Sequence, residues 1–163
     1  MSGETSKQLY AVLIALAGDT VLLPNLAIAE VIARDTVQPD PRLPPWLAGF
    51  IEWNSRRLPV LRFEVLNGGA MPADSRRERI VVINSSGRHL PSGQFALITQ
   101  AYPHLVTLTR VAVQPEPLRD GDRNELLLSR ARVANQVALI PDLDTIEAEI
   151  ARALSPNGAP VTG

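Results

Sequence analysis

Four prolines, Pro39, Pro41, Pro44 and Pro45, fall between Gln38 and Pro45. Their rings fix φ and remove backbone donors, so neither a helix nor a central strand passes through this stretch, and an extended connection is expected. Similar punctuation marks the rest of the chain, where 14 prolines and 10 glycines among 163 residues leave short apolar runs between turn signals. Tyr10–Ala17 reads as a strand, Gly18-Asp19 as a turn and Thr20–Leu23 as the return strand of a hairpin. Ile80–Ile83, Phe95–Ile98, Leu105–Leu108 and Gln136–Ile140 read as further strands, the last broken by Pro141. Short strands at this spacing predict a mainly β molecule built of small antiparallel barrels.

Two segments read as helix. Asn25 is a plausible N-cap, and Leu26, Ile28, Ala29, Val31 and Ile32 recur at helical spacing, predicting a short helix over residues 26–33. Asp142 or Asp144 caps a closing helix on which Leu143, Ile146, Ile150 and Leu154 share a face; Glu147 and Glu149 are read on its polar side. Trp46–Trp53 leads through the polar turn Asn54–Arg57 into a strand over residues 58–65, where Leu61, Phe63 and Val65 alternate with Arg62 and Glu64. Asn67–Ser75 is the clearest loop. The resulting division is a flexible tail over 1–8, one domain over 9–154 and a second tail over 155–163. Within the domain, a linker over 67–78 separates intertwined subdomains at 9–66 and 79–154.

The chain offers little for catalysis. It has no cysteine, which excludes disulfides, thiolate metal sites and cysteine nucleophiles. Its two histidines, His89 and His104, lie in loops beside proline and lack metal-ligand spacing. No glycine pattern cradles a phosphate and no nucleophile elbow is present, so neither a cofactor nor a metal is expected. Asp120-Gly121-Asp122 opens like a calcium loop but has no glutamate at the twelfth position, and reads as a solvated turn. Arg76-Arg77-Glu78-Arg79 is the only basic cluster; with a net charge of −1, nucleic-acid binding is not expected, and the cluster reads as a charged guard before the strand at Ile80. No apolar run approaches the roughly 18 residues that span a bilayer, and the start of the chain lacks signal-peptide features. A cytoplasmic protein with no direct membrane insertion is expected.

The most specific stretch is 44–66, reading Pro-Pro-Trp-Leu-Ala-Gly-Phe-Ile-Glu-Trp-Asn-Ser-Arg-Arg-Leu-Pro-Val-Leu-Arg-Phe-Glu-Val-Leu. Gly49 permits close backbone approach at the start of a strand, and Pro59 marks an edge or a bulge. The stretch resembles the signature of the CheW family: a proline and aromatic, a glycine opening a strand, an Asn-Leu-Arg-Gly turn, and a Pro-Val-hydrophobic-Asp-Leu strand. Ile28-Ala29-Glu30-Val31 matches a second family pattern, and the resemblance extends over about residues 8–154. Two departures stand out. Asn54-Ser55 replaces Arg-Gly in the turn, and Phe95–Gln100 lacks the family's Val-Asp-x-Val run. The pattern looks like a divergent branch, similar to the ChpC-like accessory proteins of type IV pilus chemosensory systems.

The resemblance implies two intertwined five-stranded SH3-like barrels around a common core, with a short internal helix and a C-terminal helix. It implies a non-catalytic adaptor between chemoreceptor cytoplasmic tips and the regulatory domain of a CheA-type histidine kinase, with other CheW-like proteins as further partners. It would be recruited to membrane receptor arrays and act in twitching motility. A receptor helix would occupy the groove between the barrels. Ile28, Glu30, Asn54, Ser55, Ile80 and Val81 match positions near that groove, while Ile28, Ile80 and Val81 read as core before contact. Glu30 among apolar residues needs a partner, which an exposed interface position facing an arginine would supply. Trp53 stands where the family has an aliphatic residue and is a candidate surface contact. The alternative is a small-ligand-binding regulatory module of a motility pathway.

Overall fold

The computed structural model describes residues 9–73, 75–109, 113–133 and 135–155, so the segments 1–8 and 156–163, read as tails, lie outside the described residues. Ser155, assigned to the second tail, is buried and ends the last helix. Among the described residues, eleven strands form two sheets. β1 (Leu9–Leu16), β2 (Asp19–Pro24), β8 (His104–Leu108), β9 (Val113–Glu116), β10 (Leu127–Val133) and β11 (Gln136–Pro141) make the six-stranded sheet, ordered β8-β1-β2-β11-β10-β9. β3 (Ile28–Ala33), β4 (Leu47–Trp53), β5 (Arg56–Leu61), β6 (Arg79–Asn84) and β7 (Gln94–Thr99) make the five-stranded sheet, ordered β3-β6-β7-β5-β4. Helix α1 (Phe63–Leu66) follows β5, and α2 (Leu143–Leu154) follows β11.

Chain order and spatial order differ. The first hairpin belongs to the six-stranded sheet, the next five strands form the other sheet, and the last four return to the first. Strands β6 and β7, beyond the 67–78 connection, therefore complete a sheet begun before it.

Both sheets curl around apolar cores. Ile51, Leu58, Val60, Ile80, Val82, Ala96 and Ile98 fill the five-stranded one; Ala11, Leu13, Leu22, Val133 and Ala138 fill the six-stranded one, with Val106 and Val113 from its two edge strands packed against them. A third, larger core lies between the sheets and collects the opposite strand faces, including Val12, Ile14, Val81, Ile83, Phe95 and Leu97, together with Ile146 and Ile150 of α2. Strands clad on both faces read as continuous apolar runs, which is why β1 and β6 are so plain in the sequence. The edge strands of the five-stranded sheet are tied together as well. Gln38, just beyond β3, exchanges two backbone hydrogen bonds with Phe50 of β4, at 2.7 and 2.9 Å.

Two expectations are corrected, and the edge-or-bulge alternative at Pro59 is decided. Residues 26–33 are not a helix: a 3-10 turn over Asn25–Ala27 leads into β3. The strand has a bulge at Ala29, since Ile28 pairs with Ile83 and Glu30 with Val82. The extra residue, with Val31 facing the shared core and Ile32 the barrel core, mimics helical spacing. The strand read over 58–65 stops at Leu61, and Phe63–Leu66 forms the short internal helix instead. Pro59 sits in β5, between β4 and β7, so it is not on an edge strand; it pairs with Phe50 beside the bulge between Leu47 and Gly49.

Candidate protein-interaction site

The hairpin of β4 and β5 closes through two residues, with Trp53 opposite Arg56. Asn54 and Ser55 both have positive φ, 50° and 62°. This is the type I′ geometry that matches strand twist and favours Asn-Gly; Ser55 occupies the position where glycine would be unstrained. The turn holds Trp53 at the rim of the five-stranded barrel, half-buried against its core. From the opposite edge strand, the bulge in β3 brings Glu30 to the same rim, and the Trp53 indole Nε1–H donates to Glu30 Oε1 at 2.7 Å. The partner of Glu30 is thus an indole, not an arginine.

Four of the residues singled out in the sequence, Glu30, Trp53, Asn54 and Ser55, form one rim, three of them exposed. Ile28 is half-buried and packs against the shared core. Ile80 and Val81 are fully buried, Ile80 in the barrel and Val81 between the sheets. Neither has surface to offer a partner. Trp46 is half-buried against the shared core.

A second feature adjoins β3. A groove of about 600 Å³ is lined by Val31 and Ile32 with Arg34, Arg76, Arg79 and Tyr102. Tyr102 is exposed, and the Arg79 guanidinium lies 5.1 Å from its ring centroid. Glu78, read as part of a charged guard, is only 2% exposed and acts as a hub. It accepts from Arg34 Nε at 3.2 Å and Gln100 Nε2 at 3.3 Å, and forms an ion pair with buried Arg62 at 3.6 Å. An acid among three arginines was the signal for this hub; Tyr102 carried none.

The acidic turn is also different from its reading. Asp122 receives Arg130 Nε at 2.7 Å and Nη2 at 2.8 Å, while Arg130 Nη1 and Nη2 reach Asp19 at 3.0 and 2.9 Å. Arg130 is 1% exposed, so Asp122 belongs to a buried clamp joining β10, the first hairpin and the turn before β10. Chiefly the hydrogen bond from Arg130 holds the Asp122 carboxyl well below its ordinary range. Glu147, read on the polar side of α2, is fully buried and accepts from Ser86 Oγ at 2.7 Å and from the N–H groups of Gly87 and Leu90 at 3.1 and 3.2 Å. His89 is half-buried 3.5 Å from Asp144, and His104 is exposed at the start of β8. Among the described residues no three His, Asp or Glu side chains are disposed to hold a metal ion.

The architecture is thus two curled sheets around three cores, with Glu30, Trp53, Asn54 and Ser55 on the rim of the five-stranded one. The model of the CheW-like domain matches residues 11–150, and the chain belongs to that family. It is therefore a non-catalytic scaffold protein of chemotaxis signalling, in the class that interacts with chemoreceptors and CheA. The scaffolding protein TtCheW from Thermoanaerobacter tengcongensis has the same fold, with a TM-score of 0.73 at 17% identity over 98% of this chain and 96% of that one. No curated protein matches in sequence. Among the described residues no helix is long and apolar enough to cross a membrane.

Proposed function

We propose that this chain couples chemoreceptor cytoplasmic tips to the regulatory domain of a CheA-type histidine kinase, as a divergent, ChpC-like accessory scaffold in control of type IV pilus twitching. In this reading it is cytoplasmic, recruited to receptor arrays, and able to meet other CheW-like proteins there. The observation that carries it is the rim at Glu30, Trp53, Asn54 and Ser55: an exposed acid paired with an indole at the closure of the five-stranded barrel. Ile28 precedes Glu30 in β3, while Ile80 and Val81 of the neighbouring β6 are buried, Ile80 in the barrel core and Val81 in the shared core. The neighbouring groove, apolar at Val31 and Ile32 and edged by arginines, has the character of a seat for an acidic amphipathic helix. The pilus assignment rests on the two departures from the family pattern, at Asn54-Ser55 and over Phe95–Gln100.

Co-purification with kinase regulatory domain and receptor-tip fragments, singly and together, tests the reading. The wild-type chain should capture both, and Glu30→Ala combined with Trp53→Ala should weaken the receptor arm while sparing the kinase arm. Failure to retain either fragment would sink the proposal. Loss of motility in a flagellar assay with twitching intact would overturn the pilus assignment.

A further inference from the structure

The β4–β5 hairpin, the end of α2 and the turn at Asp40–Leu43 bound a cleft of about 370 Å³. Exposed Arg57 brings an uncommitted charge to it. Its guanidinium lies over the Phe50 ring, 3.9 Å from the centroid, and among the described residues its side chain makes no hydrogen bond or ion pair. Glu52 is its cross-strand neighbour but forms no ion pair with it. Phe50 is a firm support, since it is buried and its backbone carries both bonds of the bridge to Gln38. The other cation, Arg42, is taken up by Asp40. Its backbone N–H and Nε donate to Oδ1 at 3.0 and 3.1 Å, and Nη2 donates to Oδ2 at 2.9 Å. Two guanidiniums against one carboxylate leave one positive charge unanswered. Chiefly the Arg42 side-chain hydrogen bond holds the Asp40 carboxyl down at about 2, and the charge of Arg57 pulls the same way, so its field is felt in the cleft.

The missing counterpart can be described chemically. A guanidinium held over an aromatic face keeps the N–H donors on its edge for another group, and their fork matches a carboxylate. A phosphate dianion would bring two charges to a cleft with one to answer, and a cation would meet repulsion. Much of the remaining wall is apolar: Leu43, Ala153 and Leu154 all line it and all are half-buried. Such a surface gains from covering by a hydrocarbon body, which an inorganic anion lacks. The volume lies within the roughly 300–1,000 Å³ of small-molecule clefts.

We propose that this cleft binds a small organic monocarboxylate, whose carboxylate is held by Arg57 on its Phe50 platform while its apolar body lies on Leu43 and Leu154. The site goes beyond the scaffold reading and does not depend on it. Because α2 supplies one wall and the β4–β5 hairpin another, a bound acid would fasten the helix to the five-stranded sheet.

The test is a titration of the full ¹⁵N-labelled chain with sodium phenylacetate at constant ionic strength, monitored at the Arg57 Nε–H and the Leu43 and Leu154 amides. Benzyl alcohol serves as the neutral control, and sodium sulfate as an anion without an apolar body. Saturable shifts with phenylacetate alone are expected. Arg57→Gln, at an exposed position, should weaken binding roughly tenfold or more, as the loss of a charge-assisted hydrogen bond requires. Asp40→Asn keeps an oxygen for the Arg42 backbone N–H but removes the competing negative charge, so it should tighten binding several-fold. The proposal is overturned if phenylacetate gives no saturable shift, if benzyl alcohol or sulfate reproduces it, if Arg57→Gln binds as wild type, or if Asp40→Asn fails to tighten binding.

Discussion

Gly49 has a φ of 147°, and a Cβ there would stand 2.1 Å from the Gln38 carbonyl oxygen. That oxygen belongs to the backbone bridge tying the two edges of the five-stranded sheet, so it cannot give way without opening the bridge. Gly49→Ala should destabilise by more than the roughly 1 kcal/mol of an average substitution, reaching several kcal/mol, as read from denaturant unfolding. Ser55 presents the opposite case. Its φ of 62° is strained for a side chain but free of steric constraint for glycine, so Ser55→Gly should raise stability by about 1 kcal/mol, with an increase in Tm. Trp53→Phe keeps an aromatic ring against the barrel core and removes the N–H. Exposed Glu30 regains water, so the loss should stay near 1 kcal/mol or below. The sequence marked Glu30 and Trp53 separately; their hydrogen bond was not legible, because it exists only once opposite edges of a curled sheet meet.

At the scale of elements, buried charge hid what apolar pattern usually reveals. In β10, Arg130 faces inward at 1% exposure while Leu128 is 66% exposed, an inversion that removes the alternation from Leu127–Val133. β9 is four residues long and contains Pro115, and it left no signal either. By contrast, β1, β6, β7, β11 and α2 were all readable, because their buried positions are mostly apolar. The Arg130 clamp has a pH signature. Asp122 titrates below its ordinary value of 3.8, chiefly because Arg130 donates to the ionised form. A depressed carboxyl contributes stability that is whole above the unfolded value and lost as pH falls through the folded one. The stability difference between wild type and Asp122→Asn should therefore be constant near neutrality and shrink in acid below pH 3.8. A difference unchanged down to the acid limit would contradict the clamp. In α2, Glu147→Gln replaces an acceptor of three hydrogen bonds by an amide with a single oxygen. A loss of about 1–3 kcal/mol is expected, with faster hydrogen exchange at Gly87 and Leu90.

For the molecule as a whole, the shared core between the sheets predicts one cooperative unfolding transition. Trp46 and Trp53 report on the shared core and the five-stranded barrel respectively, whereas far-UV circular dichroism weighs both sheets. Their transitions should coincide; separated midpoints would show that the sheets unfold independently. The interleaving has a temporal side too. Strands β3 to β7 leave the ribosome as one uninterrupted segment, so their barrel can close as soon as β7 has emerged. The outer edge of β2 must wait for β11, more than a hundred residues later, an interval on the order of ten seconds at ordinary elongation rates. Until then that edge presents unpaired backbone donors and acceptors, which makes it the stretch most in need of a chaperone.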